Sequence, residues 1–230
     1  MSHTVIVEHV SKVYRQGELD VPALTDISLV IDAGGFVSLH GPSGSGKTTL
    51  LNIIGGLDRP TAGDVIVAGK SLNSLSRSEL AELRLDRIGF VFQSYNLIPV
   101  LSALENVEFI MQLQGVPDDE RRERAMAVLK EVGLGGMEKR RPAQLSGGQQ
   151  QRVAVARAIV SNPDIVLADE PTANLDSKTS AKLLELMQKM NQERGVTFVF
   201  STHDPLVMKY ARRLIALSDG RVVDDQSAGK

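Results

Sequence analysis

Short apolar runs separated by turn residues dominate the first seventy positions of the chain. Within the second of these runs, Ile27, Leu29 and Ile31 occupy alternate positions, which is typical of a strand with one buried face. We therefore predict strands in the N-terminal part of the chain, at residues 5–10, 27–31, 36–39 and 65–68.

Residues 72–145 change to a helical pattern. Ser76 and Ser102 each stand three residues before a glutamate, which is the capping-box signature of a helix start, and Pro117 opens a further helix. In that last helix apolar residues recur at i, i+3, i+4 and i+7, as on the buried face of an amphipathic helix. One strand, at residues 88–92, is expected to interrupt the helices.

Strands and helices alternate again in the C-terminal part of the chain. The strand patterns at 165–168 and 196–201 are continuous Val, Ile, Leu and Phe runs, as expected for strands covered on both faces. A helix through Val153 precedes the first, a helix at 177–193 separates the two, and a final strand pair turns at Asp219-Gly220. This order predicts an α/β fold with a mostly parallel central sheet.

Composition and charge exclude several classes of protein. The 230 residues are 42% hydrophobic and 23% charged, which fits a folded globular chain, and cysteine is absent, which excludes disulfides and cysteine-bound metals. A net charge of −2 does not fit a protein that coats nucleic acid, so no nucleic-acid partner is expected. No apolar run approaches the length of about 18 residues that spans a bilayer, so we expect a chain that does not cross the membrane alone.

A glycine-rich loop follows the predicted strand at 36–39 and precedes an apolar helix. It matches the pattern G-x-x-x-x-G-K-[ST], in which backbone N–H groups and a helix N-terminus form an anion site. We expect Lys47 to reach the terminal phosphates of a nucleotide and the Thr48 hydroxyl to bind Mg²⁺. The predicted phosphate-binding residues are Gly41, Pro42, Ser43, Gly44, Ser45, Gly46, Lys47, Thr48 and Thr49.

Two acids end the apolar strand at 165–168. Ligands of open α/β sheets bind at the carboxyl edge of the strands, where both acids are expected. We predict that Asp169 holds the metal ion and that Glu170 polarises the attacking water.

A second small-residue loop leads into another helix and forms a second predicted anion site. Its residues are Leu145, Ser146, Gly147, Gly148 and Gln149. This loop, the glycine-rich loop and the acid pair stand in an order that resembles the nucleotide-binding subunit of an ABC (ATP-binding cassette) transporter, and the similarity covers nearly the whole chain. A small-molecule P-loop kinase is the alternative that leaves residues 145–149 unexplained.

The resemblance implies roles for four further residues. Gln93 resembles the glutamine that contacts Mg²⁺ and the lytic water, and His203 resembles the histidine that contacts the γ-phosphate. Asp176 lies in a segment similar to the family's D-loop, and Tyr14 resembles the aromatic residue that stacks on adenine. With Glu170, Gln93 and His203 form the expected catalytic set.

The resemblance also implies an architecture and an assembly. We expect one nucleotide-binding domain over residues 1–230, with a P-loop NTPase core and antiparallel β subdomain at 1–92 and 150–230 and a helical subdomain near 93–149. Two copies are expected to enclose ATP and Mg²⁺, each nucleotide held by the P-loop of one copy and residues 145–149 of the other. Hydrolysis would then open the closed dimer.

Three segments are similar to the lipoprotein-releasing (LolD) and macrolide-exporting (MacB) group. They are residues 16–24, 52–60 and 93–99. The resemblance implies a chain on the cytoplasmic face of the cell membrane that drives an integral-membrane permease. We predict that residues 95–101 and the helix at 105–114 line the groove for a permease helix, with a small local core as the alternative. A cell-division ATPase paired with an FtsX-type permease, and an ABC ATPase that clamps DNA or ribosomes, stay open as alternatives.

Overall fold

The computed structural model describes residues 3–17 and 19–227. Helices and strands follow the predicted order, with most ends one or two residues from the predicted ones. The strands of the described residues are β1 (His3–Gln16), β2 (Leu19–Asp32), β3 (Phe36–His40), β4 (Ala62–Val67), β5 (Lys70–Ser71), β6 (Ile88–Val91), β7 (Ile165–Asp169), β8 (Thr197–Thr202), β9 (Arg213–Ser218) and β10 (Arg221–Ser227). The α-helices are α1 (Lys47–Ile54), α2 (Arg77–Arg87), α3 (Ala103–Leu113), α4 (Asp118–Glu131), α5 (Gly147–Ile159), α6 (Ser177–Arg194) and α7 (Pro205–Tyr210).

The larger sheet has six strands in the order β10-β9-β3-β8-β7-β6. All neighbouring pairs are parallel except β9 and β10, which form the predicted hairpin at Asp219-Gly220. The predicted, mostly parallel central sheet is therefore confirmed. Because β3, β7 and β8 are parallel neighbours, the residues that follow them meet at one edge of the sheet.

The smaller sheet is antiparallel, with the order β2-β1-β4-β5. The apolar run at 5–10 is only part of β1, which extends to Gln16 and pairs along its length with β2. Alternation at 27–31 was visible because Ile27, Leu29 and Ile31 face the core, whereas the exposed start of β2 carries no such pattern. The predicted N-terminal antiparallel part of the fold is confirmed.

Helices α3, α4 and α5 pack together beside the larger sheet. The capping boxes at Ser76 and Ser102 are both formed, with the serine side chain accepting from the glutamate N–H and the glutamate accepting from the serine N–H. Pro117 precedes α4 as its N-cap residue. The predicted boundaries of the helical subdomain at 93–149 stay a prediction.

Two apolar clusters form the core. One joins α3, α4, α5 and α6 to one face of the larger sheet, and the other fills the space between the two sheets around α1. Within residues 3–17 and 19–227, no helix combines the length and the apolar character needed to cross a bilayer. Both clusters include residues of the larger sheet, so this sheet is covered on both faces.

Candidate functional site

A cavity of about 510 Å³ lies at the carboxyl edge of the larger sheet. Most of the predicted phosphate-binding loop lines it, together with five residues from other parts of the chain, among them Gln93, Glu170 and His203. The fold therefore brings all three predicted catalytic side chains to the glycine-rich loop. The lining residues are Ala23, Pro42, Ser43, Gly44, Ser45, Gly46, Lys47, Thr48, Thr49, Gln93, Glu170, Ala173 and His203.

Two glycines of this loop are required by its backbone. Gly41 has φ +145°, and a Cβ there would lie 2.0 Å from the Leu217 carbonyl oxygen. Gly46 is the N-cap of α1 at φ +99°, where a Cβ would lie 2.7 Å from the Ala23 carbonyl oxygen. Both positions exclude side chains, so the backbone can turn its N–H groups toward a bound anion. Gly41 packs against the Leu217 carbonyl and is not among the lining residues.

Lys47 begins α1 and is 7% exposed. Its ammonium group donates to the carbonyl oxygens of Gly41 and Pro42, both at 2.8 Å. Among the described residues it forms no ion pair with a carboxylate. A buried cation held only by neutral carbonyls attracts an anion strongly, because little protein charge offsets it.

Thr48 and Asp169 are in direct contact. The Thr48 hydroxyl donates to Asp169 Oδ1 at 3.0 Å, which joins the first turn of α1 to the end of β7. Gln93 lines the same cavity. Hydroxyl, carboxylate and amide oxygens are the hard ligands that Mg²⁺ prefers, so this donor set fits the metal.

Glu170 is held through both of its carboxylate oxygens. The Thr202 hydroxyl donates to Oε2 at 3.0 Å, and His203 Nδ1 lies 2.6 Å from Oε1. The backbone of Glu170 has φ +44°, an uncommon conformation for a residue with a side chain, and its N–H donates to the Ser201 carbonyl oxygen. Such strain is often found at functional sites, and here the contacts with Thr202 and His203 hold the carboxylate at the cavity wall.

The segment after Gln93 makes a tight turn with two consecutive left-handed residues. Tyr95 has φ +60° and Asn96 has φ +49°. The Arg157 side chain on α5 donates to both of their carbonyl oxygens, and the Asn174 amide donates to the Gln93 carbonyl oxygen at 2.9 Å. Hydrogen bonds therefore join residues 93–96 both to α5 and to the segment that follows Glu170.

Tyr14 lies outside the residues that line the cavity. Its hydroxyl donates to Asp58 Oδ2 at 2.8 Å, and the Lys12 ammonium lies 4.8 Å from the ring centroid. Burial raises the pKa of Tyr14, as does the hydrogen bond to Asp58, whereas a contact with Thr49 acts in the opposite direction. Thr49 lines the cavity, so Tyr14 stands at its margin. Its predicted stacking on adenine stays a prediction.

The signature loop, residues 145–149, lies outside the cavity of its own chain. Ser146 is the exposed N-cap of α5, and its side chain accepts from the Gln149 N–H while the Gln149 side chain accepts from the Ser146 N–H. Leu145 is buried and anchors the loop to the core. The N-terminus of α5 thus lies away from the P-loop cavity of the same copy, and its role as an anion site stays a prediction.

Asp176 is the exposed N-cap of α6. It accepts from the backbone N–H groups of Lys178 and Thr179 and from the Thr179 hydroxyl. These hydrogen bonds, those from Thr179 first, lower the pKa of Asp176. The capping contacts give Asp176 a structural role in its own copy, and its role in a D-loop stays a prediction.

Thr202 and Arg157 were not predicted as site residues, and Asn174 was predicted only as part of the segment that resembles the D-loop, without its contact to Gln93. Thr202 immediately precedes His203 at the end of β8, so its position was the one available signal. The contacts of Asn174 with Gln93 and of Arg157 with Tyr95 join residues 81 and 62 positions apart. Local patterns contain no information on such distant contacts.

Comparison with known proteins gives a family. A family model described as "ABC transporter" matches residues 24–173. The chain is 51% identical over 223 residues to an uncharacterized ABC transporter ATP-binding protein, MJ0796, of Methanocaldococcus jannaschii, covering 94% of each chain. It is 50% identical over 224 residues to the macrolide export ATP-binding/permease protein MacB of Syntrophobacter fumaroxidans, covering 96% of this chain and 31% of that protein. The chain thus spans about a third of the length of this macrolide export relative.

Solved structures agree with this assignment. The fold is similar to that of the ATP-binding cassette MJ0796 in a dimeric post-hydrolysis state bound to ADP and Pi, with a TM-score of 0.91 and 48% identity, covering 98% of this chain and 100% of that one. It is also similar to cbiO1 of Clostridium perfringens, part of an ABC transporter complex, with a TM-score of 0.89 and 30% identity, covering 99% of this chain and 89% of that one. The chain therefore belongs to the ABC transporter family, of which it carries the ATP-binding cassette.

Proposed function

We propose that this chain is the ATPase subunit of a transporter complex and that it works as a homodimer with two shared ATP sites. One observation carries the proposal. The P-loop cavity is lined by most of the predicted phosphate-binding residues and by the three predicted catalytic residues of one copy, whereas the signature loop of that copy lies outside it. Two copies placed head to tail would bring each signature loop over the other copy's P-loop.

The P-loop cavity would bind the triphosphate of ATP. Backbone N–H groups of residues 43–48 and the N-terminus of α1 provide hydrogen-bond donors and a positive dipole end. Lys47, released from the Gly41 and Pro42 carbonyls, would pair with the β- and γ-phosphates. The Tyr14 ring would contact the adenine at the margin of the cavity.

Thr48, Asp169 and Gln93 would hold Mg²⁺. Bound there, the metal ion supplies charge neutralisation for the phosphates. Thr48 lines the cavity and its hydroxyl donates to Asp169, which is not itself a lining residue, so the two oxygens are already adjacent. Gln93 would contribute its amide oxygen from the segment that follows β6.

Glu170 would act as the general base of hydrolysis. Its carboxylate would accept a proton from a water molecule whose oxygen attacks the γ-phosphorus, while the bond from that phosphorus to the ADP oxygen breaks and ADP leaves with the electron pair. Thr202 and His203 hold the carboxylate in place through its two oxygens. His203, at 72% side-chain exposure, is free on its outer side to contact the γ-phosphate.

The second copy would complete each site through Ser146, Gly147 and Gly148. The N–H groups at the start of α5 and the Ser146 hydroxyl would bind the γ-phosphate of the opposite copy. Contacts that exist only with ATP present favour the closed dimer, and hydrolysis removes them. The dimeric solved structure of MJ0796 with ADP and Pi supports this assembly for the present chain.

The dimer would drive an integral-membrane permease from the cytoplasmic face of the cell membrane. The macrolide export relative is described as an ATP-binding and permease protein, and the present chain matches its cassette at 50% identity. This relationship supports a permease partner and an export function in the MacB and LolD group. The permease would be contacted through the helical region of the chain.

The test of this assembly compares two substitutions of Ser146 in a Glu170→Gln background. Asp, Asn and Ser are equally good N-caps, so both variants keep the start of α5 intact. Ser146→Asp places a carboxylate against the partner's γ-phosphate, and we expect it to abolish the ATP-dependent dimer in analytical ultracentrifugation while ATP binding to the monomer persists. Ser146→Asn is the matched neutral control and should still dimerise. Equal dimerisation of both variants would contradict the shared site.

A further inference from the structure

An apolar groove of about 690 Å³ lies between α2, β6, α3 and the C-terminal half of α5. It is separate from the P-loop cavity, and Leu57 and Leu113 at its rim are 49% and 56% exposed. Only some of the residues that were predicted to line a permease groove line this one. Ile98 lines the groove, whereas Leu97 packs against the core of the helical region, as the alternative interpretation expected. The aromatic and aliphatic lining residues are Leu57, Leu85, Ile88, Phe90, Phe92, Ile98, Phe109, Ile110 and Leu113.

Arg157 is a cation in the wall of this groove without a charged partner. Its guanidinium donates to the carbonyl oxygens of Asn96 and Tyr95 at 2.5 and 3.0 Å. No carboxylate of the described residues pairs with it, although Glu82 lines another part of the same groove. Burial lowers the pKa of Arg157, and no neighbouring charge contributes to that shift.

The groove offers the conditions in which such a cation binds an anion well. A guanidinium has five N–H donors, and only two of them have acceptors here. Contact with apolar walls strengthens an added charge-assisted hydrogen bond, because water competes less. An occupant that is apolar only would instead cover the guanidinium and leave its remaining donors unsatisfied.

We propose that Arg157 recognises an acidic side chain on the permease helix that enters this groove. The proposal rests on the proposed function, because it assumes a permease partner. The occupant is an amphipathic helix whose apolar face covers Phe90, Phe92 and Ile110 and which carries one carboxylate directed at Arg157. A helix of this kind matches both the apolar lining and the unpaired charge.

The position of Arg157 gives the ion pair a consequence for the ATP site. The same guanidinium holds the left-handed turn at Tyr95 and Asn96, two residues after Gln93. The Tyr95 hydroxyl in turn lies against the signature loop, where a Cβ on Gly147 would be 2.8 Å from it. A carboxylate bound to Arg157 would therefore change the hydrogen bonds that hold the turn at Tyr95 and Asn96, which lies between Gln93 and the signature loop.

The test uses synthetic 16-residue peptides tiled over the part of the Syntrophobacter MacB relative that lies outside its cassette. Binding of each fluorescent peptide to the full chain is measured by anisotropy. We expect a binding peptide to contain Asp or Glu, and its Asn or Gln version to bind about tenfold more weakly or worse. Arg157→Gln should bind the acidic and amide versions equally, and Arg157→Lys should restore part of the preference because it retains the charge.

Two exposed apolar residues locate the binding. Leu113→Arg at the rim of the groove should remove peptide binding, whereas Met126→Arg, an equally drastic change on the exposed face of α4, should not. Equal affinity of acidic and amide peptides for the unsubstituted chain would overturn the role of Arg157. It would not contradict the proposed permease partner. If no peptide binds, or if the groove binds the fatty acid decanoate and none of the peptides, the groove does not take a helix and the proposal is wrong. Neither outcome bears on the ATP-dependent dimer, which is measured separately.

Discussion

At the scale of single residues, the site is a set of polar groups held in place by contacts between distant parts of the chain. Glu170 is 17% exposed, adopts a positive φ and has both carboxylate oxygens occupied by Thr202 and His203. Lys47 is held by two carbonyl oxygens of its own loop. The Glu170 carboxylate is thus held in place before a nucleotide binds, which reduces its reorganisation, whereas Lys47 has to exchange its carbonyl partners for phosphate oxygens.

Replacing Glu170 with Gln should separate binding from hydrolysis. The amide keeps the shape and the hydrogen bond from Thr202 but cannot accept a proton from water. We expect phosphate release to fall about 10²–10⁴-fold, with ATP affinity unchanged. Phosphate release and binding of a fluorescent ATP analogue measure the two effects, and turnover near that of the unsubstituted chain would exclude Glu170 as the base.

Thr202 should act as a positioning residue for Glu170. Thr202→Val removes the hydroxyl at nearly constant volume and leaves one carboxylate oxygen unheld. Losing a hydrogen bond of this kind corresponds to about tenfold in kcat, with KM for ATP unchanged. Thr202→Ser restores the hydroxyl and should restore most of kcat, and a loss of equal size in both variants would point to a packing role instead.

At this scale the sequence predicted the residues whose chemistry depends on close neighbours. The P-loop, Asp169 and Glu170 were predicted because a few adjacent positions define each of them. The contacts of Thr202, Asn174 and Arg157 were not predicted, because their partners are 32 to 81 positions away. Leu97 and Ile98 are adjacent apolar residues, yet only Ile98 faces the groove, and composition does not distinguish the two.

At the scale of elements, the helical region depends on buried polar contacts as much as on its apolar core. Asn106 on α3 is fully buried. Its amide oxygen accepts from the Ile98 N–H at 2.8 Å, and its amide nitrogen donates to the carbonyl oxygens of Ile98, Leu101 and Ser102. These contacts attach the segment that follows Gln93 to α3.

Asn106→Leu should therefore destabilise the chain. It leaves the partly buried Ile98 N–H without its acceptor and removes the amide donor from the carbonyl oxygens of Ile98, Leu101 and Ser102, which costs about 2–3 kcal/mol in the free energy of unfolding. Urea unfolding should show a lower midpoint with an unchanged m-value. Gln112→Leu makes the same chemical change at an exposed position of α3, and an equal loss there would contradict the assigned role of Asn106.

Element types were predictable where periodicity or capping signals were strong. The capping boxes at Ser76 and Ser102 fix the starts of α2 and α3, and the continuous apolar runs predicted β7 and β8. Helix α7 was not predicted, because six residues are too few for a periodic pattern. The length of β1 was underestimated, since its second half pairs with an exposed part of β2.

At the scale of the whole molecule, the fold separates the two helix ends that are predicted to bind anions. The N-terminus of α1 lies in the P-loop cavity, and the N-terminus of α5, with Ser146, lies outside it. The sequence predicted both loops but could not place them relative to each other, because this depends on packing across the whole chain. A second copy would place its α5 N-terminus opposite the α1 N-terminus of the first copy.

Cross-linking between two differently substituted copies tests the shared nucleotide site most directly. The chain contains no cysteine, so Ser43→Cys and Ser146→Cys each introduce a single reactive thiol, both at exposed positions. The two variants, in a Glu170→Gln background, are mixed and treated with a short bis-maleimide. We predict a covalent heterodimer that forms with ATP and Mg²⁺ and is absent without ATP or with either variant alone. An ATP-bound dimer in which the thiols introduced at positions 43 and 146 of opposite copies do not cross-link would contradict the shared site.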